Sequence, residues 1–368
     1  MKKLTHENLI ESLEIKDLTN SLNGSHAIQL TMNKIIKSIK NNLKTDVQIQ
    51  RRNSIVALND NYNYLSYPED GAARDSRYTK YVSDKLILRT QTSSMIPSIL
   101  NDLNICGIDK DLLIACPGLV YRRDVIDKLH VPVPHQLDLW IVSNNPKDKN
   151  DLINMISIIM NNILPNYEYR LTDAEHPYTT EGVQIDVNVK GQWIEIGECG
   201  IASKKVLSIS GLNIYGLAMG LGLDRITMIV KEMNDIRLLR DSDPKVKKQM
   251  LNLDKYKEVS KMPISKKDIS VAVSEDMTEE ELGDIVLEHY PEASDLIEEI
   301  KVMSSTTINK LPESAIERMG IVEGQKNLLL RITLRSLSKT LTTDESKDIR
   351  NKIYHILHQG TKKEADYL

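Results

Sequence analysis

The run Gly216-Leu-Ala-Met-Gly-Leu-Gly-Leu-Asp-Arg225, continuing into Ile226-Thr-Met-Ile-Val-Lys231, constrains the chain more than any other segment. It reads as a glycine-rich strand that turns into a helix with an arginine in its first turn. Gly220 and Gly222 have no Cβ to block a flat ligand, and a helix opening at Asp224 points unpaired N–H groups and a positive dipole end outward. Arg225 adds a fork of donors. This is a shape for an anionic nucleotide. A dinucleotide fingerprint would need a third glycine where Arg225 stands, which argues against that reading. From this segment alone, a phosphate cradle and a plain structural turn stand at even odds.

A second segment breaks the tie. Tyr121-Arg122-Arg123-Asp124 is followed by a loop holding His130, Pro132 and Pro134, then by His135-Gln-Leu-Asp-Leu-Trp-Ile-Val142. Gly118 to Arg123 and Gln136 to Val142 are apolar-rich, and prolines keep the loop between them out of either ladder. The pattern predicts an antiparallel hairpin with Arg122 and Asp124 on one face.

Together these segments resemble motifs 2 and 3 of the class II aminoacyl-tRNA synthetases, and the finer match is to the phenylalanyl-tRNA synthetase family. Asn61 to Pro68 with Asp70, Arg74 and Asp75, the run Leu88-Arg-Thr-Gln-Thr-Ser93, Val120 to Asp138, His176-Pro-Tyr-Thr179 and Trp193-Ile-Glu-Ile-Gly197 follow that family's segments in order. The resemblance implies an α+β fold, with an antiparallel sheet flanked by helices and then a ferredoxin-like domain as in single-chain, organelle-type enzymes. Catalytic residues 1–245, a linker 246–262 and an anticodon-binding domain 263–368 are the expected divisions.

The same resemblance implies an ATP-dependent ligase that forms an aminoacyl-adenylate and passes the amino acid to tRNA. Arg122 would hold the α-phosphate and the carboxylate; Asp124 and His130 would address adenosine and the outer phosphates; Arg225 would grip the γ-phosphate end. Gly220 and Gly222 would line the nucleotide site, and Glu195 would ligate Mg²⁺, a hard cation suited to oxygen donors. Gln91, Ser93, Gln136 and Asp138 would surround the α-amino group, Asp138 being one methylene shorter than the family's usual Glu. His176 and Tyr178 stand where two phenylalanines are usual, above Ala218 as floor. If these two polar rings satisfy each other or water, phenylalanine is the substrate; if they await a substrate group, a polar aromatic amino acid is favoured. A synthetase relative with another acceptor and a catalytically silent tRNA-binding module are the remaining alternatives.

With 368 residues, the chain exceeds the usual single core, so two domains are expected. No run reaches membrane-span length, and Glu7, Glu11, Glu14 and Asp17 near the start argue against a targeting peptide, so the cytoplasm is the expected location. Cys106, Cys116 and Cys199 have no metal-type spacing and read as plain thiols. A net charge of −4 excludes a general nucleic-acid coat, but Lys326, Arg331, Arg335 and Lys339 head a locally basic stretch that is a candidate tRNA-facing patch. The chain has fourteen tyrosines and no phenylalanine. An enzyme that supplies Phe-tRNA would, in that form, still be translated when the charged tRNA is scarce.

Helical spacing predicts an amphipathic helix from Ser25 to Leu43, whose apolar face could serve a homodimer, a monomer being the other expectation. Another spans Asp151 to Leu164. Val183 to Val189 alternates strictly and pairs back through Lys190-Gly191 onto Trp193 to Ile201. Charge rises and apolar periodicity fails from Asp241 to Lys261. Beyond it, Asp268 to Ser274, Leu296 to Met303 and Asn327 to Arg335 read as strands. Capping boxes at Thr278 and Thr342 open helices to His289 and His358, and a short terminal strand would complete a ferredoxin-like unit.

Overall fold

A computed structural model describes residues 3–76, 78–106, 108–122, 127–259, 262–336 and 339–362. The chain forms two compact units, one of residues 1–122, 133–233 and 248–256, the other of 123–132, 234–247 and 257–368. The chain leaves the first unit more than once, because the loop after Arg122 groups with the C-terminal residues.

In the first unit, helices α1 (His6–Glu14) and α2 (Ala27–Leu43) precede strands β1 (Asp46–Ile49), β2 (Ile55–Ala57) and β3 (Leu86–Leu88). Then come α3 (Ile96–Cys106), β4 (Leu112–Leu119), β5 (His135–Ser143), α4 (Lys149–Ile163) and β6 (Tyr169–Asp173). The unit is completed by β7 (Thr179–Val189), β8 (Gln192–Ala202), α5 (Lys204–Leu207), β9 (Tyr215–Gly222) and α6 (Leu223–Val230). Seven strands form one sheet in the order β1-β4-β5-β9-β8-β7-β6. Only the β1–β4 pair is parallel. This is the expected α+β layout.

The sheet's two faces are covered differently. Helix α2 packs against α4 and α6 on one face, while α3 and the apolar residues of 206–214 close part of the other. His26 caps α2 by accepting the Ile28 N–H at 3.2 Å, one residue beyond the expected start. Asp148 and Asp151 form a capping box that starts α4 two residues earlier than periodicity suggested. The apolar residues of α2, Ile28, Met32, Ile35, Ile36 and Ile39, are all buried within the chain, each contributing roughly 1.5–3 kcal/mol. That face is therefore not left over for a second copy.

Tyrosine and tryptophan take the large aromatic positions, with Tyr62, Tyr81, Tyr121, Tyr290, Tyr354 and Trp140 buried. A buried hydroxyl needs a partner. Tyr62 donates to Ala73 O at 2.7 Å, Tyr81 to Arg74 O at 2.5 Å and Tyr121 to Ser54 Oγ at 3.3 Å. Lys231, with no exposed surface, caps three backbone carbonyls, of Gln249, Asn252 and Asp254, at 2.8–3.1 Å.

The second unit contains β10 (Ser265–Ser274), α8 (Glu279–His289), β11 (Ile297–Thr307), α10 (Glu313–Met319), β12 (Gln325–Leu334) and α11 (Thr343–Leu357). Two further short helices lie among the described residues, α7 (Pro244–Gln249) and α9 (Ala293–Leu296). The sheet order is β10-β12-β11, antiparallel, with α8 and α11 over one face. Both capping boxes form as expected. Helix α10 was not expected from the sequence; it packs on the opposite side, where Met319 and Ile321 cover Ala272. Among the described residues no fourth strand forms. Instead Gln359 N–H donates to Ala272 O at 2.8 Å along the outer edge of β10.

Candidate active site

Strand β5 carries the site because both its neighbours supply small residues opposite its polar ones. Gln136 lies across from Gly118 and Gly222, Asp138 from Cys116 and Gly220, and Trp140 from Ile114 and Ala218. Residues two apart share a face, so Gln136, Asp138 and Trp140 project together over a floor of glycine and alanine. A Cβ on Gly220 would sit 3.2 Å from Gln136 Nε2, whereas one on Gly222 would meet nothing closer than 3.8 Å. A Cβ on Gly118 would lie 2.1 Å from Arg89 Nη2. Arg89, buried and donating to Leu119 O at 2.7 Å, is the scaffold that fixes the end of β4.

Asp138 is fully buried. Its Oδ2 accepts the Trp140 indole N–H at 2.8 Å, and its Oδ1 has no hydrogen-bond partner. Burial pushes this carboxyl up to about 7, opposed by the Trp140 bond and by the nearby Ser93 hydroxyl. Ser93 Oγ is close enough to have that influence but makes no hydrogen bond of acceptable geometry, and it too is buried. Two unsatisfied acceptors in a dry site call for a donor, and a cationic one most of all. The neighbouring Gln136 accepts the Thr92 N–H at 2.8 Å. Gln91 differs from expectation: its amide donates to Asn61 O at 2.9 Å and accepts Tyr67 Oη–H at 3.1 Å, so both ends are engaged in the wall.

Beyond Asp138 the pocket is aromatic. Tyr178 stacks on Trp140 with ring centroids 6.1 Å apart, lies 6.2 Å from Tyr67 and 5.8 Å from His176. Burial raises the Tyr178 hydroxyl well above its ordinary range. Ala218, buried, belongs to the same apolar cluster as Trp140 and Tyr178. His176 Nε2 lies 2.6 Å from Glu198 Oε2, which raises the imidazole's affinity for its proton. Sequence reasoning missed Glu198, although it is the residue across β8 from Gly220.

At the other end of the floor, Arg122 and Arg225 leave strands β4 and β9 at the same end of the sheet. Gly118 and Gly222 share a row with Gln136 between them, so the two strands run about 9–10 Å apart there. Strand β4 stops at Leu119, four residues short of expectation. Pro134 O accepts the Val120 N–H and Arg89 O the Tyr121 N–H, and Arg122, exposed, makes an isolated bridge to Thr79. Arg225 Nη1 donates to Glu195 O at 3.2 Å and lies 3.7 Å from Glu195 Oε2. Glu195 sits at a bulge where β7 and β8 change register. Helix α6 has no side-chain N-cap bond. Its start is pinned by His135, whose N–H donates to Asp224 Oδ2 at 2.5 Å and whose Nδ1 lies 3.1 Å from the same carboxylate. Because His135 Nε2 accepts the Leu18 N–H at 2.9 Å, its proton resides on Nδ1.

His130, in the other unit, has its Nδ1 2.7 Å from Asp127 Oδ1. Asp124 lies outside the described residues. Among the described residues no group of three or more His, Cys, Asp or Glu side chains converges as a metal cage.

Each of the four basic residues expected to face tRNA has a partner within the second unit. Arg331 forks onto Asp268 at 2.8 and 2.7 Å on the sheet face opposite Leu330 and Ile332. Lys326 donates to Met277 O at 2.9 Å. Lys339 pairs with Glu345, and Arg335 lies 2.9 Å from Glu298, within ion-pair distance but without hydrogen-bond alignment.

No helix among the described residues is long and apolar enough to cross a membrane. Residues 13–250 match the family described as tRNA synthetases class II core domain (F). The chain is 30% identical over 315 residues to the chloroplastic/mitochondrial phenylalanine–tRNA ligase of Arabidopsis thaliana, an overlap of 81% of this chain and 68% of that protein. With the mitochondrial phenylalanine–tRNA ligase of Saccharomyces cerevisiae it shares 25% identity over 430 residues, 93% of this chain and 88% of the relative. The alpha subunit of the Gloeobacter violaceus enzyme is 33% identical over 198 residues, 50% of this chain and 57% of that one. The chain thus belongs to the class II tRNA synthetases of the phenylalanyl type.

Proposed function

We propose that the chain is a phenylalanine–tRNA ligase, which joins phenylalanine to the α-phosphate of ATP, releases pyrophosphate, and transfers the acyl group to the 3′ end of tRNA. The observation that carries this reading is the buried Asp138 carboxyl with one unpartnered oxygen, set beside an aromatic wall on a glycine floor. An α-ammonium satisfies Asp138 Oδ1 and Ser93 Oγ; an aromatic ring fills the space by Tyr178, Tyr67 and Ala218.

The substrate carboxylate is already ionised, so no general base is needed. The protein's task is alignment and charge stabilisation. Arg122 is assigned to the α-phosphate and the carboxylate, and Arg225 to the far phosphates at the open start of α6. Asp124 and His130 are assigned to adenosine and the outer phosphates, and Gly222, where a Cβ would meet only Ile196 O at 3.8 Å, to the nucleotide. Glu195 presents a hard oxygen beside Arg225, which suits Mg²⁺; when bound, that ion neutralises phosphate charge. Lys326, Arg331, Arg335 and Lys339 remain the residues assigned to tRNA, the last three as members of separate ion pairs and Lys326 held by the Met277 carbonyl. Action in the cytoplasm, as a monomer, completes the proposal, checked by fractionation and by sedimentation.

Nε2 of His176 is held by Glu198 within the protein, which favours phenylalanine over a polar aromatic substrate. ATP–pyrophosphate exchange across all twenty amino acids, followed by acylation of bulk tRNA, tests the reading. Phenylalanine as best substrate supports it, and a different best substrate refutes it.

A further inference from the structure

Two groups in the wall of the ring pocket have no part in the activation chemistry, His176 and Glu198. The 2.6 Å contact joins His176, in the turn before β7, to Glu198 on β8. The imidazole side chain is 14% exposed and the carboxylate 39%, so the ring lies within the wall and the acid at its rim. The pair is continuous with the aromatic cluster, because the His176 ring lies 5.8 Å from Tyr178, which stacks on Trp140. Glu198 and Asp138 both face Gly220 from the strands on either side. The Tyr67 hydroxyl at that end is engaged by Gln91, and Gln91 by Asn61, while the Tyr178 hydroxyl lies near Ser93.

We infer that Glu198 is a specificity-positioning residue: by committing Nε2 of His176, it withdraws that nitrogen from a substrate hydroxyl at the ring end, and so favours an unsubstituted ring over a phenol. The inference rests on the reading of His176 and Tyr178 as the ring end of a phenylalanine site. A phenolic substrate entering this wall gives up its hydrogen bonds to water and meets an imidazole nitrogen already taken, a loss on the order of tenfold to a hundredfold in relative kcat/KM. Freeing the imidazole supplies the missing partner.

The test is the ratio of kcat/KM for tyrosine to that for phenylalanine in ATP–pyrophosphate exchange. Both substrates are measured on one preparation, so any misfolded fraction cancels. Glu198→Ala is expected to raise the ratio by about tenfold or more, while Glu198→Gln, which keeps an acceptor for the imidazole, stays within about threefold of the parent. The double variant His176→Phe with Glu198→Ala returns the ratio to the parent value or below. An unmoved ratio in Glu198→Ala overturns the inference. An equal rise in the double variant also overturns it, by assigning the change to opened volume. A parent protein that shows no phenylalanine-dependent exchange refutes the underlying reading, and the inference with it; phenylalanine-dependent exchange with an unmoved ratio refutes the inference alone.

Discussion

Two charged sites, one in each unit, are treated in opposite ways. In the second unit, Arg331 is forked onto Asp268 at the surface, and Lys339 and Arg335 have acids of their own. In the first, Asp138 is buried with one oxygen left unpartnered. Opening a pair already matched within the chain offsets part of what a ligand gains there, whereas a buried group without a match costs stability until one arrives. Function is therefore read better from unmet pairing than from the density of charge.

The largest effect that sharpens this contrast lies at the nucleotide end. Arg225→Ala should lower phenylalanine-dependent ATP–pyrophosphate exchange about 10²–10³-fold, as the loss of a transition-state donor does. A comparable loss of exchange in Arg331→Ala would break the comparison. Next, Asp138→Asn should raise the KM for phenylalanine by about tenfold to a hundredfold, the worth of a charge-assisted hydrogen bond. The same variant should be the more stable apo-protein. Burial lifts the Asp138 carboxyl from 3.8 to about 7, so in the folded state the proton is held more tightly than in the unfolded chain. Stability is lost as pH rises from about 4 to 7 and stays lost above, by roughly 2–4 kcal/mol, and the asparagine variant escapes that loss. Denaturant titrations at pH 5 and pH 8 check the sign: the variant's advantage should grow with pH.

A smaller effect follows from the same proton. In the parent, the KM for phenylalanine should rise toward tenfold per unit as pH falls below about 7, because the ammonium binds the ionised carboxylate. Asp138→Asn should be flat over that range; equal slopes in the two proteins would remove Asp138 from the ammonium site. Smallest of all, Arg331→Ala should shift the thermal midpoint by no more than about 2 °C, since exposed pairs are screened by water and salt.

Local signals were legible where one segment carries the whole argument. The glycine strand running into α6 and the capping boxes at Thr278 and Thr342 depend on neighbours within a few residues, and each formed where the sequence placed it. The pairing of Arg331 was not legible in the basic stretch after Lys326, because its acid is remote in sequence, Asp268 lying 63 residues away across the β10–β12 ladder. Glu198 was missed for a related reason. The bulge near Glu195 breaks the alternation of β8, so parity counted along the strand does not reveal which acids face the pocket. Arg122 left its ladder early because Pro134, having no N–H, ends the β5 pairing, and Arg89 takes over the backbone of Tyr121.

The buried rings of this protein are tyrosine and tryptophan, in a chain without a single phenylalanine. A fluorinated or otherwise altered ring that slips through the pocket would spread into the rest of the proteome at phenylalanine codons, yet it could never be built into the catalyst that admitted it. Errors of selection here cannot compound through the selector's own next generation.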